Sequence, residues 1–265
     1  MKKTLLTIVI PCYNYGMFVE DAIRSATEAV PDAEIIVIND GSTDNTREVL
    51  DAVSLPNVKI FHKENNGQSV ARNFGISIAS GRYILCLDAD DLLLPEYPAK
   101  AVALLEQEAE IGIVYSDVEY FGAKKGIGRS GEFVKERLLL QNNIPCCAVF
   151  RKDDWAQTPG FRTETNGLED WDFWLSILSL GRKAVYLSFA GIRYRKHPQR
   201  ISVSKTTSRI RRAEIYREIV RGHLPFFHEY TEDFAVAAQK ALKYTKRKKL
   251  FNFKLFGKKI HLEVE

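Results

Sequence analysis

The chain has 265 residues, of which 45% are hydrophobic, 27% charged and 11% aromatic, and it carries a formal net charge of +4. Those are globular proportions, and they exclude a collagen-like, coiled-coil or disordered chain. No run approaches the ~18 uninterrupted apolar residues that a membrane-spanning helix needs.

Met1-Lys2-Lys3 before an apolar run superficially resembles a signal peptide. The run is short, however, and Pro11-Cys12-Tyr13-Asn14 offers no small-residue cleavage site, so Leu5–Ile10 is predicted as a first strand. Short apolar runs then alternate with amphipathic stretches: helix over Met17–Ala29, strand Glu34–Ile38, helix Thr43–Val53, strand Val58–Phe61, helix Ser69–Ile78 and strand Tyr83–Leu87. Strands rich in Ile, Val and Leu, separated by helices, predict an α/β fold with a mostly parallel, Rossmann-like central sheet flanked by helices. Ligands of such sheets sit in the loops beyond the carboxyl ends of the strands. Here those loops are Pro11–Gly16, Asn39–Asp44, His62–Gly67 and Asp88–Pro95, all of them polar.

The second half is less regular. Helix is predicted over Ala101–Gln107, strand over Gly112–Val118, a loop over Lys124–Gly131, strand over Cys146–Phe150, and two strands at Ala184–Phe189 and Ile192–Tyr194. Trp171, Trp174, Leu175 and Leu178 share one helical face in Trp171–Leu180. From Thr206 the pattern is helical, with Ile210, Ala213, Tyr216, Ile219 and Val220 on one face and a further helix over Thr231–Tyr244. The four cysteines (Cys12, Cys86, Cys146, Cys147) lie in or beside apolar runs without a Cys-x-x-Cys pair, which favours reduced structural thiols over disulfides or metal.

Leu85-Cys86-Leu87-Asp88-Ala89-Asp90-Asp91 is the sharpest chemical signal: an apolar strand ends in three carboxylates within four residues. Residues i and i+2 of an extended chain point the same way, so Asp88 and Asp90 face one ligand, and hard oxygen donors suit Mg²⁺ or Mn²⁺ shared with phosphate. Asp91 reads as a cap for the next helix. Asn39-Asp40-Gly41-Ser42-Thr43-Asp44 reads as a turn and helix cap in Ser42 and Asp44, whereas Asp40 sits where a base or ribose could be recognised. In Asn66-Gly67-Gln68-Ser69-Val70-Ala71-Arg72-Asn73, Arg72 lies one turn into a helix, within reach of a pyrophosphate or base. Glu169-Asp170 opens an aromatic helix, either as dipole complementation or as a general base. His197 reads either as a surface histidine or as a metal ligand.

In this order, Val9-Ile10-Pro11-Cys12-Tyr13-Asn14, Val37–Asp44, Asn66–Asn73, Asp88-Ala89-Asp90 and Glu169-Asp170 resemble the family 2 glycosyltransferases of the GT-A fold, over about three quarters of the chain, Leu5 to Ser204. Cys12 stands where a valine or other small apolar residue is more usual, and Asn39 where Val or Asp is. The resemblance implies a GT-A domain over residues 1–204 with a helical, basic extension over 205–265. It implies an inverting transfer of a sugar from a nucleotide diphosphate donor, a UDP-sugar by default, to a carbohydrate or lipid-linked acceptor in bacterial surface polysaccharide or lipopolysaccharide assembly. Pro11, Tyr13, Asn14, Asp40 and Arg72 would hold the nucleotide, Asp88 with Ala89 the ribose or sugar, Asp90 a Mn²⁺ or Mg²⁺ ion, and His197 the metal or diphosphate. Asp170 would be the base and Glu169 its support. A dehydrogenase is disfavoured, because no Gly-x-Gly-x-x-Gly follows the first strand. A nucleotidyltransferase would want a basic phosphate loop, which Pro11–Met17 lacks; a catalytically silent sugar-nucleotide-binding protein is the remaining alternative.

Charge divides unevenly. Lys240–Glu265 holds nine Lys/Arg and two Glu, a net of +7, which leaves residues 1–239 at −3. A basic tail on an acidic body argues against nucleic acid as partner and for a local electrostatic role. Lys246-Arg247-Lys248-Lys249 followed by Leu250, Phe251, Phe253, Leu255 and Phe256 suits an interfacial helix on anionic lipid, and equally a Phe contact with the body or with a second copy in a homodimer. The expected location is cytoplasmic, at the inner face of the cell membrane if the tail binds lipid.

Overall fold

The computed structural model describes residues 5–198, 209–229, 251–255 and 258–262. In chain order the elements are β1 (Leu6–Cys12), α1 (Val19–Ala29), β2 (Glu34–Asp40), α2 (Thr46–Asp51), β3 (Val58–Lys63), α3 (Gln68–Ile78), β4 (Tyr83–Cys86), β5 (Leu92–Leu93), α4 (Glu96–Gln107), β6 (Ile111–Gly122) and β7 (Gly126–Gly128). There follow α5 (Lys135–Leu138), β8 (Val149–Arg151), α6 (Lys152–Ala156), a 3₁₀ turn at Thr163–Thr165, α7 (Glu169–Ser179), β9 (Lys183–Lys196), α8 (Arg209–Gly222), α9 (Leu224–Glu229), β10 (Phe251–Leu255) and β11 (Lys258–Leu262).

Residues up to 133 together with 144–223 form one compact unit. Its sheet runs β3-β2-β1-β4-β8-β6-β9-β5, with β7 paired to β6. The first four strands are parallel, as the alternation of strands and helices predicts, and β6 runs parallel to β9. β8 is antiparallel to both β4 and β6, and β5 is antiparallel to β9, so the second half is mixed. Every residue of β1 and β2 is buried, as strands covered on both faces must be. One core gathers Leu6, Ile8 and Ile10 of β1 with Ala22 and Ile23 of α1 and Tyr97 and Leu105 of α4.

Several expectations need correction. The two strands predicted at 184–194 are one, β9, whose register against β6 slips where Leu187 and Ala190 pair with consecutive residues. Gly191 allows the close approach there: a Cβ on it would run into the Tyr97 ring and the Ser116 hydroxyl. The predicted loop at Lys124–Gly131 contains β7. α7 is buried on nearly every side from Trp171 to Leu178, rather than along one stripe. In α8 the buried residues are Ile215 and Ile219, while Ala213 is exposed and Ile210 is 75% exposed. The start of the expected extension, α8, clusters with the first unit.

The second unit comprises residues 134–143 and 224–265. Leu138, Leu139, Phe226 and Phe227 are buried. β10 and β11 pair antiparallel, so the interfacial helix expected over Phe251–Leu255 is a strand instead. The predicted helix Thr231–Tyr244 and the basic run Lys246–Lys249 lie outside the described residues. The four cysteines carry free thiols. Among the described residues no helix is long and apolar enough to cross a membrane.

Candidate active site

The loops after β1 and β2 are stitched together by one asparagine. Among the described residues Asn14, at φ 57°, is the one non-glycine residue in the left-handed region, which asparagine tolerates. Its backbone N–H donates to Ser42 Oγ at 2.9 Å, and its Oδ1 accepts from the Thr43 N–H at 2.7 Å. Asp44 accepts from the Gly16 N–H at 3.2 Å and the Thr46 N–H at 3.0 Å and so closes a turn, while the N-cap of α2 is Asn45 rather than Ser42 or Asp44. Pro11 is buried in β1 opposite Ile38, and Tyr13, just beyond, is 44% exposed.

Asp40 closes the neighbouring loop. Its carboxylate accepts from Lys63 Nζ at 2.5 Å, the Asn66 N–H at 3.1 Å and the Gly67 N–H at 2.8 Å. Gly67 has φ 90°, which a side chain would resist, and it begins α3. Asp40 therefore shapes the loop that launches Arg72.

Arg72 is 1% exposed, its guanidinium turned to carboxylates. One guanidinium nitrogen donates to Asp88 at 2.9 Å and another to Glu169 at 2.8 Å, while the group lies over the Phe161 ring at 5.3 Å. Gln68 Nε2 also donates to Asp88, at 3.1 Å. Arg72 thus holds two carboxylates from distant segments in place from behind.

Asp88 and Asp90 flank the buried Ala89 in a turn closed by the Asp91 N–H on the Asp88 carbonyl at 3.0 Å, so the extended i, i+2 geometry expected of them gives way to a turn that begins beyond β4. Asp90 Oδ2 lies 2.7 Å from His197 Nε2, and the His197 ring packs on Phe18 and Tyr15 with centroids 5.6 and 6.2 Å away. Burial raises the Asp90 pKa, and the Asp88 charge adds to the rise. Asp91 caps no helix: it is buried, its pKa is well above the usual range through burial, and it accepts the Arg195 N–H at 2.8 Å. Arg195 Nε donates to the Asp90 carbonyl at 2.9 Å.

Asp170 follows Glu169 into α7 and accepts from the Trp171 N–H at 2.7 Å. Burial, and then the Glu169 charge, push its pKa up to about 7, so desolvation outweighs the helix N-terminus, which favours the charged form. Glu169 is fixed on its other side by the Gly167 N–H at 2.6 Å.

Acidic groups therefore outnumber cations at this end of the sheet, which favours an incoming cation. Among the described residues no three His, Cys, Asp or Glu side chains are grouped to hold a metal. Asp90 and His197 fit a divalent ion that takes its other ligands from a diphosphate, the usual arrangement for Mg²⁺ or Mn²⁺ at phosphates. Sequence reading assigned no role to Gln68, Phe18, Tyr15 or Arg195. Gln68 lay inside a quoted motif; the other three become visible only when β9 is laid beside the carboxylate loop.

Residues 7–157 match the model of glycosyl transferase family 2. The chain is 28% identical over 229 residues to the UDP-Glc:alpha-D-GlcNAc-diphosphoundecaprenol beta-1,3-glucosyltransferase WfaP of Escherichia coli, covering 83% of this chain and 88% of that one. It is 30% identical over 185 residues to the chondroitin synthase of Pasteurella multocida, covering 67% of this chain but spanning only 19% of that protein's length. In structure it resembles S. aureus TarS in complex with UDP-GlcNAc, with a TM-score of 0.72 at 18% identity over 92% of this chain and 74% of that one. It also resembles a mannosyltransferase of Pyrobaculum calidifontis in complex with GDP-Man and Mn²⁺, with a TM-score of 0.64 at 20% identity over 93% and 77% of the two chains. The mixed α/β sheet is of the GT-A type these structures share, and the chain belongs to glycosyl transferase family 2.

Proposed function

We propose that the chain transfers a sugar from a UDP-sugar to a hydroxyl of a carbohydrate or lipid-linked acceptor, with inversion and with a divalent metal, in the building of a bacterial surface polysaccharide. The observation that carries this reading is the Arg72 bridge. It fixes Asp88, from the carboxylate loop, and Glu169, from the start of α7, on one guanidinium, with Asp90 and His197 following Asp88 and Asp170 following Glu169. The UDP-glucose in the name of WfaP and the UDP-GlcNAc bound to TarS support the donor class, and the Mn²⁺ complex of the archaeal mannosyltransferase supports the metal.

In this reading the loops tied by Asn14 and Asp40, with the exposed Tyr13 ring, take the nucleoside, and Asp88 with the Ala89 backbone takes the ribose or sugar. Asp90 and His197 would hold the ion, which would supply positive charge against the charge that builds on the diphosphate as the sugar C1–O bond breaks. Asp170 accepts the acceptor hydroxyl proton as the new bond forms. A pKa near the working pH is what a general base requires, and burial supplies it. Arg72 touches no substrate; it positions. The place of action is the cytoplasmic side, with the basic tail as peripheral membrane contact.

Two variants test this. Asp170→Asn keeps shape but removes the proton acceptor, so turnover with a UDP-sugar should fall by ~10²–10⁴ while calorimetric UDP affinity stays put. Asp90→Asn should instead weaken Mn²⁺-dependent UDP binding by about tenfold or more, the loss of one charged contact. If the two phenotypes are exchanged, or UDP binds as well without metal, the assignment fails.

A further inference from the structure

β6, β7, β9 and β5 make up the far side of the one sheet, beyond the carboxylate loop. Their register puts Glu119 opposite both Arg193 and Ile127, Phe121 opposite Arg195, and Leu92 opposite Arg193. Cross-strand partners share a face, so Glu119, Phe121, Ile127, Arg193 and Arg195 lie on one side. The alternate residues Tyr120 and Tyr194 pack against the core. His197 continues the Arg193-Arg195 series at the same spacing, so this face runs directly into the Asp90–His197 pair. At ~3.3 Å per residue, Arg193 lies about 13 Å from His197 along the extended chain.

At the far end of that face is a pocket of about 330 Å³, lined by Glu119, Phe121, Lys125, Ile127 and Arg193 among others. Ile127 is 51% exposed there, although it belongs to a sheet. The Phe121 ring carries the Arg193 and Arg195 guanidiniums at 4.8 and 4.3 Å, which fixes both side chains. Arg193 Nε is buried and stands 3.5 Å from the Glu119 carboxylate, while the side chain as a whole is 39% exposed, so its charge is open to a ligand. Lys125 is exposed and makes no ion pair among the described residues. The pocket therefore offers two cations against one carboxylate, beside an aliphatic and an aromatic surface, in a volume at the small end of ligand sites.

We propose that this pocket is a binding subsite for an anionic pyranose, a sugar ring bearing a carboxylate or a phosphate, in the acceptor chain. The C–H face of the ring rests on Ile127 and the edge of Phe121, Glu119 accepts from ring hydroxyls, and Arg193 and Lys125 receive the anionic group. The word acceptor rests on the transfer activity proposed above; the binding does not.

The test uses the full chain with ¹³C-methyl isoleucine, without nucleotide or metal, titrated at matched ionic strength with glucuronic acid, glucose 6-phosphate or glucose. The Ile127 methyl resonance should move with at least one of the two anions at about tenfold lower concentration than with glucose. Lys125→Gln and Arg193→Gln should each weaken that response, with the other isoleucine methyls unmoved as the sign of an intact fold. A response to glucuronic acid alone assigns a uronic acid, one to glucose 6-phosphate alone a phosphosugar, and one to both any anionic pyranose. An Ile127 methyl silent to all three, equally responsive to glucose, or indifferent to both variants overturns the proposal. Loss of transfer activity with the Ile127 response intact would count against the transferase reading alone.

Discussion

Asp170 is a carboxylate whose surroundings oppose its charge, and two consequences follow for one side chain. As the proposed base it must be ionised, so kcat/KM should fall as pH drops through about 7, with the slope of one proton. As a buried acid with a raised pKa it favours the folded chain when protonated, and that contribution is lost as pH rises from 3.8 through about 7. Asp170→Asn should therefore melt higher than the parent at pH 8 while turning over far less. A rate profile that stays level between pH 6 and 8, roughly a unit either side of the raised value, would refute the first part, and an unchanged or lower Tm for the variant the second. The residue itself was legible in the sequence as one of an acidic pair, but its titration was not. A helix N-terminus can be read from the chain; the depth at which it is buried cannot.

α7 is held at the angle that presents this pair by a buried cluster one turn further on. Asp172 is fully buried and accepts from Arg162 Nε at 2.7 Å, while His223, past the end of α8, lies 2.9 Å away through Nε2. Despite burial, these hydrogen bonds keep the Asp172 carboxyl below its ordinary range. Asp172→Asn should destabilise by about 3–5 kcal/mol, because Arg162 is left without its carboxylate, and should lower kcat more than it alters UDP affinity. A thermal melt and a calorimetric titration on the one variant check both. The elements through Leu87 were readable to within a few residues, since buried parallel strands and amphipathic helices announce themselves by pattern. β9 read as two strands because a bulge interrupts its pattern, and α7 read as one-sided because a helix buried all round carries no stripe. That Asp88 and Asp90 are neighbours was readable from the sequence, but the turn that holds them was not. Arg72 was visible as a cation but not as a bridge, since Glu169 lies 97 residues away.

For the molecule as a whole, the division of charge carries the argument: +7 in the last 26 residues against −3 in the rest. The proposed membrane contact is then electrostatic in origin, since β10 and β11 are strands and give no amphipathic helix over that stretch. The full chain should sediment with anionic liposomes at ~0.1 M salt and be released near ~1 M, where the screening length shrinks from about 10 to about 3 Å. A chain ending at Gln239 should stay in the supernatant in both. Equal sedimentation of the two chains would place the lipid contact, if there is one, on the acidic body.

The Arg72 bridge also bears on how such a chain can be recombined. Asp88 travels with Arg72 in the first 133 residues, but Glu169 lies in the segment that starts at 144, so the two terminal guanidinium nitrogens are both paired only when both pieces descend together. A hybrid that joined this first segment to a second one with a neutral residue in place of Glu169 would bury a cation with half its partners. The segment that carries Glu169 is thus not a free module: it can be traded among relatives only in exchange for one that brings the same carboxylate.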